Sequence, residues 1–554
     1  MKELWALDTE DNSKGKVYLV NFYDGKNHHT FKTPQEAVEF LAKQEKAIDI
    51  WATNLAYDLS NLFQGNMNCL RITYIKGRVI SAQIVNTKIY FKDTLNHWKI
   101  SVADMGKRIK LYKYKTNDFN NVKYCRRDTL ITHRFVKTMS EKYEEIGAKL
   151  KSTIGSTALD LFQNRFHSRP VKRVFESSDI DWMLNGYYGG RVEIFHTERV
   201  FGNICYYDFN SLYPSCMFGY RFPLPDRHRF RLGFNEEAEG ISEVTVWVPD
   251  SLRIPYLPFR SPQGLIFPTG KLRGRWTNFE LREAQKYGVK ILKSHRTIEF
   301  TGTVQPFDEF VDTLYKFRLE AQKNKDDLLS DSAKLLLNNL YGKYAQGNEI
   351  TRLLPYNETK LKTGDRLFKD LVLRDEINEY PLHTNVVWSA YVTAYGRDKL
   401  FRGMRSVEQN GGLLLYCDTD SIVYQGDPIF PDSKNLGELK LEGVWDTAHF
   451  KLPKLYHLGG EKEIFKAKGV PRVKAKDFFE KGVAEFQRPN KLRESLRRNL
   501  VPNEWHTTKK EVRRKYDKRI IGKNGSTRPI AIGKATHTVN RGSKSKNQLH
   551  DGVH

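Results

Sequence analysis

Cysteine is scarce. The 554 residues hold five (Cys69, Cys125, Cys205, Cys216, Cys417), an odd number scattered without paired spacing. That spacing argues for a reducing compartment, with neither a disulfide framework nor a zinc site of paired cysteines expected. Long apolar runs are missing as well. None approaches the roughly 20 residues that cross a bilayer, so no membrane partner is expected. The opening "MKELWALDTED" turns acidic within a few residues and lacks an apolar signal core, which gives a cytoplasmic expectation. No internal repeat is visible.

Acidic residues are the other deficit: 66 Asp and Glu stand against 91 Lys and Arg, a formal net charge of +25. An excess of that size suits a polyanionic partner, because neutralising phosphates releases counterions and drives association. Hydrophobic residues make up 39% and aromatics 12%, enough for packed cores, and the length implies two to four domains.

What is present reads first as alternating strands and helices. "ELWALDTE" and "KVYLVNFY" are strand-like, and "TPQEAVEFLAKQ" starts as a helix behind a Thr cap and an early Pro. Gly-rich and strand-like segments, "GYYGGRVEIF" and "GNICYYD", follow between Trp182 and Tyr207. From Pro306 the apolar spacing predicts a helix that breaks near "KNKDD" and resumes as "SDSAKLLLNNLYGKYA". The stretch Gly347 to Tyr380 is polar and turn-rich, with little core to bury, and the chain beyond Gly522 reads as a basic, loosely ordered tail.

Two carboxylate groups punctuate apolar runs. "YYDFNSLYPSCM" places Asp208 at the end of one, and "LLLYCDTDSIVY" places Asp418, Thr419 and Asp420 at the tip of a hairpin. A single Asp at a turn needs no function, since its side chain stabilises turns; an Asp pair between two strongly apolar strands is harder to explain that way. If Asp208 and Asp420 meet, they can hold two magnesium ions about 4 Å apart and bridge to phosphates. The segment Phe209, Asn210, Ser211, Leu212 and Tyr213 can offer backbone N–H groups to a triphosphate. In "KLLLNNLYG", Lys334, Asn338 and Tyr341 stand at i, i+4 and i+7, on one helical face. There Lys334 supplies charge and Tyr341 packs against a base or sugar, with Arg318 as a second phosphate contact.

Together these segments resemble family B DNA polymerases: "DFNSLYP" is similar to motif A, "KLLLNNLYG" to motif B and "YCDTDS" to motif C, in the family's order. The resemblance implies a palm, fingers and thumb, with catalysis at Asp208, Asp418 and Asp420. It makes Tyr213 a steric gate against a 2′-hydroxyl, and puts Tyr416 and Thr419 against DNA. "FKAKGV" resembles the KxKG motif and places Lys466 and Lys468 near phosphates.

The first 128 residues carry a second constellation. Asp8 and Glu10 lie two apart on a strand, hence on one face. Asn54 and Asp58 are one helical turn apart, as are Tyr124 and Asp128. Four carboxylates (Asp8, Glu10, Asp58, Asp128) and a tyrosine suit a two-metal phosphodiester hydrolase in which Tyr124 orients water. They resemble the Exo motifs of family B 3′–5′ proofreading exonucleases. "DTLNHW" resembles the (S/T)Lx2h element, so Thr94 and Leu95, with Asn54, are candidate ligands of single-stranded DNA. "YYGG" resembles the YxGG element, making Tyr187, Gly189 and Gly190 candidate DNA contacts.

The insertion positions match protein-primed members, which replicate linear genomes capped by a terminal protein. The resemblance implies an α/β and α+β multidomain fold, with an RNase H-like exonuclease domain beside a right-hand polymerase. The expected boundaries are 1–150 exonuclease, 151–220 first palm part, 221–304 first insertion, 305–346 fingers, 347–380 second insertion, 381–480 second palm part, 481–530 thumb and 531–554 basic tail. It implies two Mg2+ per site (Mn2+ substituting) and primer-template DNA, deoxynucleoside triphosphates and a terminal protein as partners. A monomer in the cytoplasm of a host cell, bacterial for a viral or plasmid gene, is expected. A primer-independent or conventionally primed family B enzyme is the competing reading.

Overall fold

The computed structural model describes residues 2–12, 14–63, 67–114, 122–167, 172–368, 370–498, 500, 503–512 and 514–533. At its amino-terminal end the strand Glu3–Asp11 pairs antiparallel with Val17–Tyr23 and parallel with Ile48–Ala52, which runs parallel to Ile89–Asp93. Leu7, Ile50 and Phe91 are buried, as a strand covered on both faces requires. The helices Leu55–Leu62 and Val122–Ile146 pack on this sheet. The helix Pro34–Ala42 begins as expected, with the Thr33 side chain accepting the Glu36 N–H.

A second, wholly antiparallel sheet has seven strands in the order Ile464–Ala467, Leu455–Gly459, Leu439–Leu452, Val200–Phe209, Ser421–Gln425, Leu413–Asp418, Val192–Ile194. The helix Val386–Gln409, buried along most of its length, backs it. Gly403 permits close approach there, since a Cβ would lie 2.6 Å from the Ile422 side chain. The helices Asp308–Lys323 and Asp327–Asn339 pack on each other beside this sheet. The architecture is the expected one, an RNase H-like domain joined to a palm with fingers and thumb. No helix among the described residues is long and apolar enough to cross a membrane.

Two expectations about the periphery are corrected. The polar stretch 347–380 does bury a core. Its strands Glu349–Pro355, Leu371–Ile377 and Arg366–Phe368 extend the amino-terminal sheet to ten strands by pairing Glu349–Pro355 with Leu70–Ile75. Leu353, Leu371 and Leu373 sit in the same apolar cluster as Phe22 and Ile50. The short apolar runs in this segment are those of paired strands, hidden by charged residues on the outer positions.

Nor is the chain beyond Gly522 loose as far as it is described. Thr527–Arg528 pairs with Ile520–Ile521, and Ala531–Ile532 adds a parallel strand to the sheet of the first insertion, ordered His228–Leu232, Lys290–Phe300, Glu239–Val248, Thr269–Thr277, Ala531–Ile532. Gly270, at φ +92°, makes this possible, because a Cβ there would fall 2.1 Å from the Ile532 carbonyl oxygen. The expected tail from 531 therefore starts inside a sheet, and residues 534–554 lie outside the described ones.

Candidate active sites

In the seven-stranded sheet, register does the positioning. Asp208 pairs with Ser421 on one side and Lys440 on the other. The turn between the motif C strands brings Asp420 alongside, its carbonyl accepting the Phe209 N–H at 2.7 Å. Thr419 makes that turn at φ +63°, and its N–H donates to the Arg191 carbonyl at 2.7 Å. Burial, then the Asp420 and Glu442 charges, push the Asp208 carboxyl up to about 7, with Lys334 and Lys440 opposing. Burial also raises Asp420, again with Lys334 opposing. Two half-buried carboxylates under a lysine, the Asp420 charge raising Asp208 and the Asp418 charge raising Asp420, are a cation site by their donor chemistry: oxygen ligands, suited to hard divalent ions.

Asp418 is oriented otherwise. It accepts from the Tyr416 hydroxyl at 3.0 Å and pairs with Lys454 at 3.3 Å. The Lys468 N–H in turn donates to the Lys454 carbonyl at 3.2 Å, so the KxKG-like segment is tied to motif C through this one turn. Lys466, on the edge strand Ile464–Ala467, and Lys468 are exposed.

The short helix Leu212–Met217 follows Asp208 by way of Ser211, at φ +52°. Arg318 donates to the Ser211 hydroxyl at 3.0 Å, bringing the fingers helix to motif A. Tyr213 packs against Tyr341, ring centroids 4.7 Å apart, and against the backbone at Gly396, where a Cβ would stand 3.1 Å from its ring. A glycine in a helix interior costs about 1 kcal/mol; here it makes room for Tyr213.

Several side-chain expectations fail on burial or placement. Tyr416 and Thr94 are buried and do not present their side chains to DNA; Phe209 and Leu212, expected to offer backbone N–H groups, have buried side chains as well. The Phe209 and Asn210 N–H groups are taken by the Asp420 and Glu438 carbonyls, leaving the start of the helix at Leu212 as the backbone donor. Lys334, Asn338 and Tyr341 do not share one helical face. The helix ends at Asn339, and Tyr341 lies in the following 3₁₀ turn, its carbonyl held by the Ser389 hydroxyl at 2.6 Å. Asn338 donates to the Lys334 carbonyl. Gly190 serves packing: a Cβ would lie 2.7 Å from the Thr419 side chain, so the Tyr187–Gly190 loop buttresses the motif C turn. Gly189 is exposed and Tyr187 half-buried. Arg397, missed in the sequence, fixes this loop by donating to the Tyr188 and Gly189 carbonyls at 2.6 and 2.9 Å while paired with buried Glu280.

The second site lies between the strand Glu3–Asp11 and two helices. Strand alternation puts Asp8 and Glu10 on one face. Asp58 accepts from the Thr9 hydroxyl at 2.8 Å, and Tyr124 and Asp128 project from one helix, four residues apart. Burial, then the Asp128, Glu10 and Asp58 charges, hold the Asp8 carboxyl well above its ordinary range. Burial and Asp128 push Glu10 up to about 7. Asp8 Oδ2 and Asp128 Oδ1 are buried with no hydrogen-bond partner. Converging carboxylates with orphaned oxygens fit divalent cations. Lys113, invisible in the sequence because "KLYKYK" has no distinguishing spacing, pairs with Asp128 and stands 4.6 Å from the Tyr124 ring centroid. Asp93 was also missed; it accepts the N–H groups of Asn54 (3.1 Å) and Leu95 (2.9 Å), fixing both. Buried Thr94 donates to the Thr53 hydroxyl and thus acts through its neighbours. Asn54 and Leu95 line a cavity of about 1060 Å³ that Arg488, Lys491 and Arg498 also line. Asn503 closes it by donating to the Tyr57 carbonyl and Asn61.

A family model described as DNA polymerase type B, organellar and viral, matches residues 107–373. A DNA-directed DNA polymerase of Enterobacteria phage PRD1 is 30% identical over 350 residues, 61% of this chain and 59% of that protein. A probable DNA polymerase of Neurospora intermedia is 27% identical over 447 residues, 74% of this chain and 44% of that protein. The chain therefore spans less than two thirds of the length of either relative. The solved structure of Phi29 DNA polymerase with primer-template DNA superposes with a TM-score of 0.75 at 17% identity, covering 92% of this chain and all of the other. Motifs A, B and C stand in order with this fold around them, and over residues 107–373 the chain is similar to the type B DNA polymerases of organelles and viruses.

Proposed function

We propose that the protein is a template-directed DNA polymerase carrying its own 3′–5′ exonuclease, and that it begins synthesis on a protein primer. The observation that carries the reading is the pair of separate carboxylate sites on two sheets, with Lys334 and Arg318 standing over only one of them. Two magnesium ions at Asp208 and Asp420 would activate the attacking hydroxyl and neutralise the leaving pyrophosphate. Lys334 and Arg318 hold the triphosphate, and Glu442, a further charge acting on Asp208, contributes to the local field. At the other site Asp8, Glu10, Asp58 and Asp128 hold the metals, Tyr124 orients water, and Asn54 and Leu95 present a strand end through the adjoining cavity.

Protein priming is supported by where the insertions fall. Within the first of them, 221–304, Arg273 and Arg275 both pair with Glu243, so these two guanidinium groups are committed to their own sheet. The deciding experiment supplies labelled deoxynucleotides with a primed template, with no primer, and with the candidate terminal protein. Label attached covalently to that protein and surviving denaturing electrophoresis is the expected result. Efficient unprimed synthesis without a labelled protein would overturn protein priming and favour primer-independent initiation.

Tyr213→Ala is expected to relax discrimination against ribonucleotides by roughly 10²-fold in the ratio of kcat/KM values, because the Tyr213–Tyr341 pair would lose the ring that excludes a 2′-oxygen. An unchanged ratio would remove Tyr213 from that role.

A pH dependence follows from Glu10. A carboxyl whose affinity for protons is raised to about 7 must lose a proton when a cation binds below that pH, and none above it. Apparent Mg2+ affinity at the exonuclease site should therefore rise by at least about tenfold per pH unit below 7, with Glu10 adding no further dependence above it. Calorimetric titration of Asp420→Asn protein, which isolates this site, measures it; a flat profile from pH 6 to 8 would contradict it.

A further inference from the structure

We propose that Cys125 gives the exonuclease site a soft ligand, so that zinc- and cadmium-class cations occupy it in preference to the oxygen-only palm site. The inference rests on the reading above that this cluster holds metal. Cys125 follows Tyr124 on the helix Val122–Ile146 and precedes Asp128 by three residues, which brings it to the same side as Asp128. Its Sγ and one carboxylate oxygen each of Asp8 and Glu10 lie within 4.8 Å of one another. An ion among them needs bonds of about 2.0–2.3 Å to oxygen and sulfur, so small rotations close the set.

Two independent features point to a cation there. Asp128 is 3% exposed and its Oδ1 has no hydrogen-bond partner, and Asp8 Oδ2 is likewise orphaned. The thiol itself is committed only to a weak donation to the Asp8 backbone carbonyl at 3.6 Å. The palm offers a built-in contrast. Cys417 also adjoins a catalytic carboxylate in sequence, but strand alternation turns its sulfur to the Arg191 carbonyl, 4.0 Å away, behind the sheet. Only the exonuclease cysteine is presented to its carboxylates. On binding, the thiol proton leaves to solvent, the sulfur becomes a thiolate ligand, and one proton is released per ion at this residue. Thiolate ligation favours Zn2+ and Cd2+ over Mg2+, which prefers oxygen alone.

The test uses the full chain in a Cys69→Ser background, because Cys69 is the one cysteine that is not fully buried. Cd2+ is titrated into metal-free protein while the ultraviolet thiolate-to-cadmium charge-transfer band and the heat are followed. A band saturating at one equivalent is expected. Cys125→Ser and Cys125→Ala, checked for fold by circular dichroism, should abolish the band and weaken Cd2+ by at least about tenfold while leaving Mg2+ affinity within about twofold. Asp8→Asn, which keeps the thiol, should lose the tight Cd2+ site as well. A band that persists without Cys125, or Cd2+ affinity that ignores its removal, would overturn the proposal and leave Cys125 as a packing residue. If Mg2+ binding at this site is absent in the parent protein, the metal-site reading itself falls. If Mg2+ binds and Cd2+ ignores Cys125, only the present inference falls.

Discussion

Asp420→Asn is expected to abolish primer extension, by about 10³-fold or more in kcat, and to leave 3′–5′ degradation intact. The substitution keeps the shape of the turn, whose backbone is fixed by the Asp420 carbonyl and the Phe209 N–H. What it removes is the charge that, with burial, raises Asp208 to about 7. Asp208 then faces Lys334 with one fewer carboxylate, and the site can no longer balance divalent cations against a triphosphate. Asp8→Ala combined with Glu10→Ala should give the reverse, a polymerase without an exonuclease. The two clusters lie on different sheets, so neither loss should propagate. Primer-extension and strand-degradation assays on both variants, with circular dichroism to confirm folding, measure this. Loss of both activities in either folded variant would refute two independent sites.

The parts of this plan legible in the sequence were those fixed by local rules. Strand alternation put Asp8 with Glu10, helical spacing put Tyr124 with Asp128, and a hairpin between apolar runs announced Asp418 to Asp420. Residues that reach a site across the fold left no such trace. Lys113 meets Asp128 from an irregular segment, Asp93 grips Asn54 from another strand, and Arg397 reaches the Tyr188 carbonyl from a helix over 200 residues away in the chain. Burial was the other blind spot. Motif residues such as Thr94 and Tyr416 look like ligands in a one-dimensional pattern, yet both are buried and act by holding neighbours: Thr94 holds Thr53, and Tyr416 bridges Asp418 and the Lys454 turn. The segment 347–380 misled for a related reason. Its charged outer positions, such as Arg352 and Glu376, pair across strands and mask the buried leucines between them.

That segment carries the second large expectation. Cutting residues 350–377 to a short Gly-containing turn would remove Leu353, Leu371 and Leu373 from the core of the amino-terminal sheet. At about 1.5–3 kcal/mol for each buried side chain, the loss is roughly 5–9 kcal/mol, comparable to the whole stability of a domain. It would also expose Leu70–Ile75 as a bare edge, open to aggregation. The cut should therefore lower the melting temperature of the exonuclease domain by more than roughly 10 °C and take exonuclease activity with it. A smaller change separates this structural role from a role on DNA. Residues 357–364 form the largely exposed tip, outside the paired strands, tied to the sheet by the Arg374 guanidinium on the Lys360 carbonyl at 2.8 Å and by Glu358 to Arg71 and Asn86. Replacing that tip with Gly and Ser should leave melting within about 2 °C and single-nucleotide insertion on an open template unchanged. If the tip parts strands ahead of the palm, long products and synthesis through duplex should collapse in the same variant. Calorimetry with gel analysis of product length reads both. Wild-type melting after the long cut would mean that the ten-stranded sheet gains nothing from its last three strands, and full duplex synthesis after the short one would end the strand-separating role.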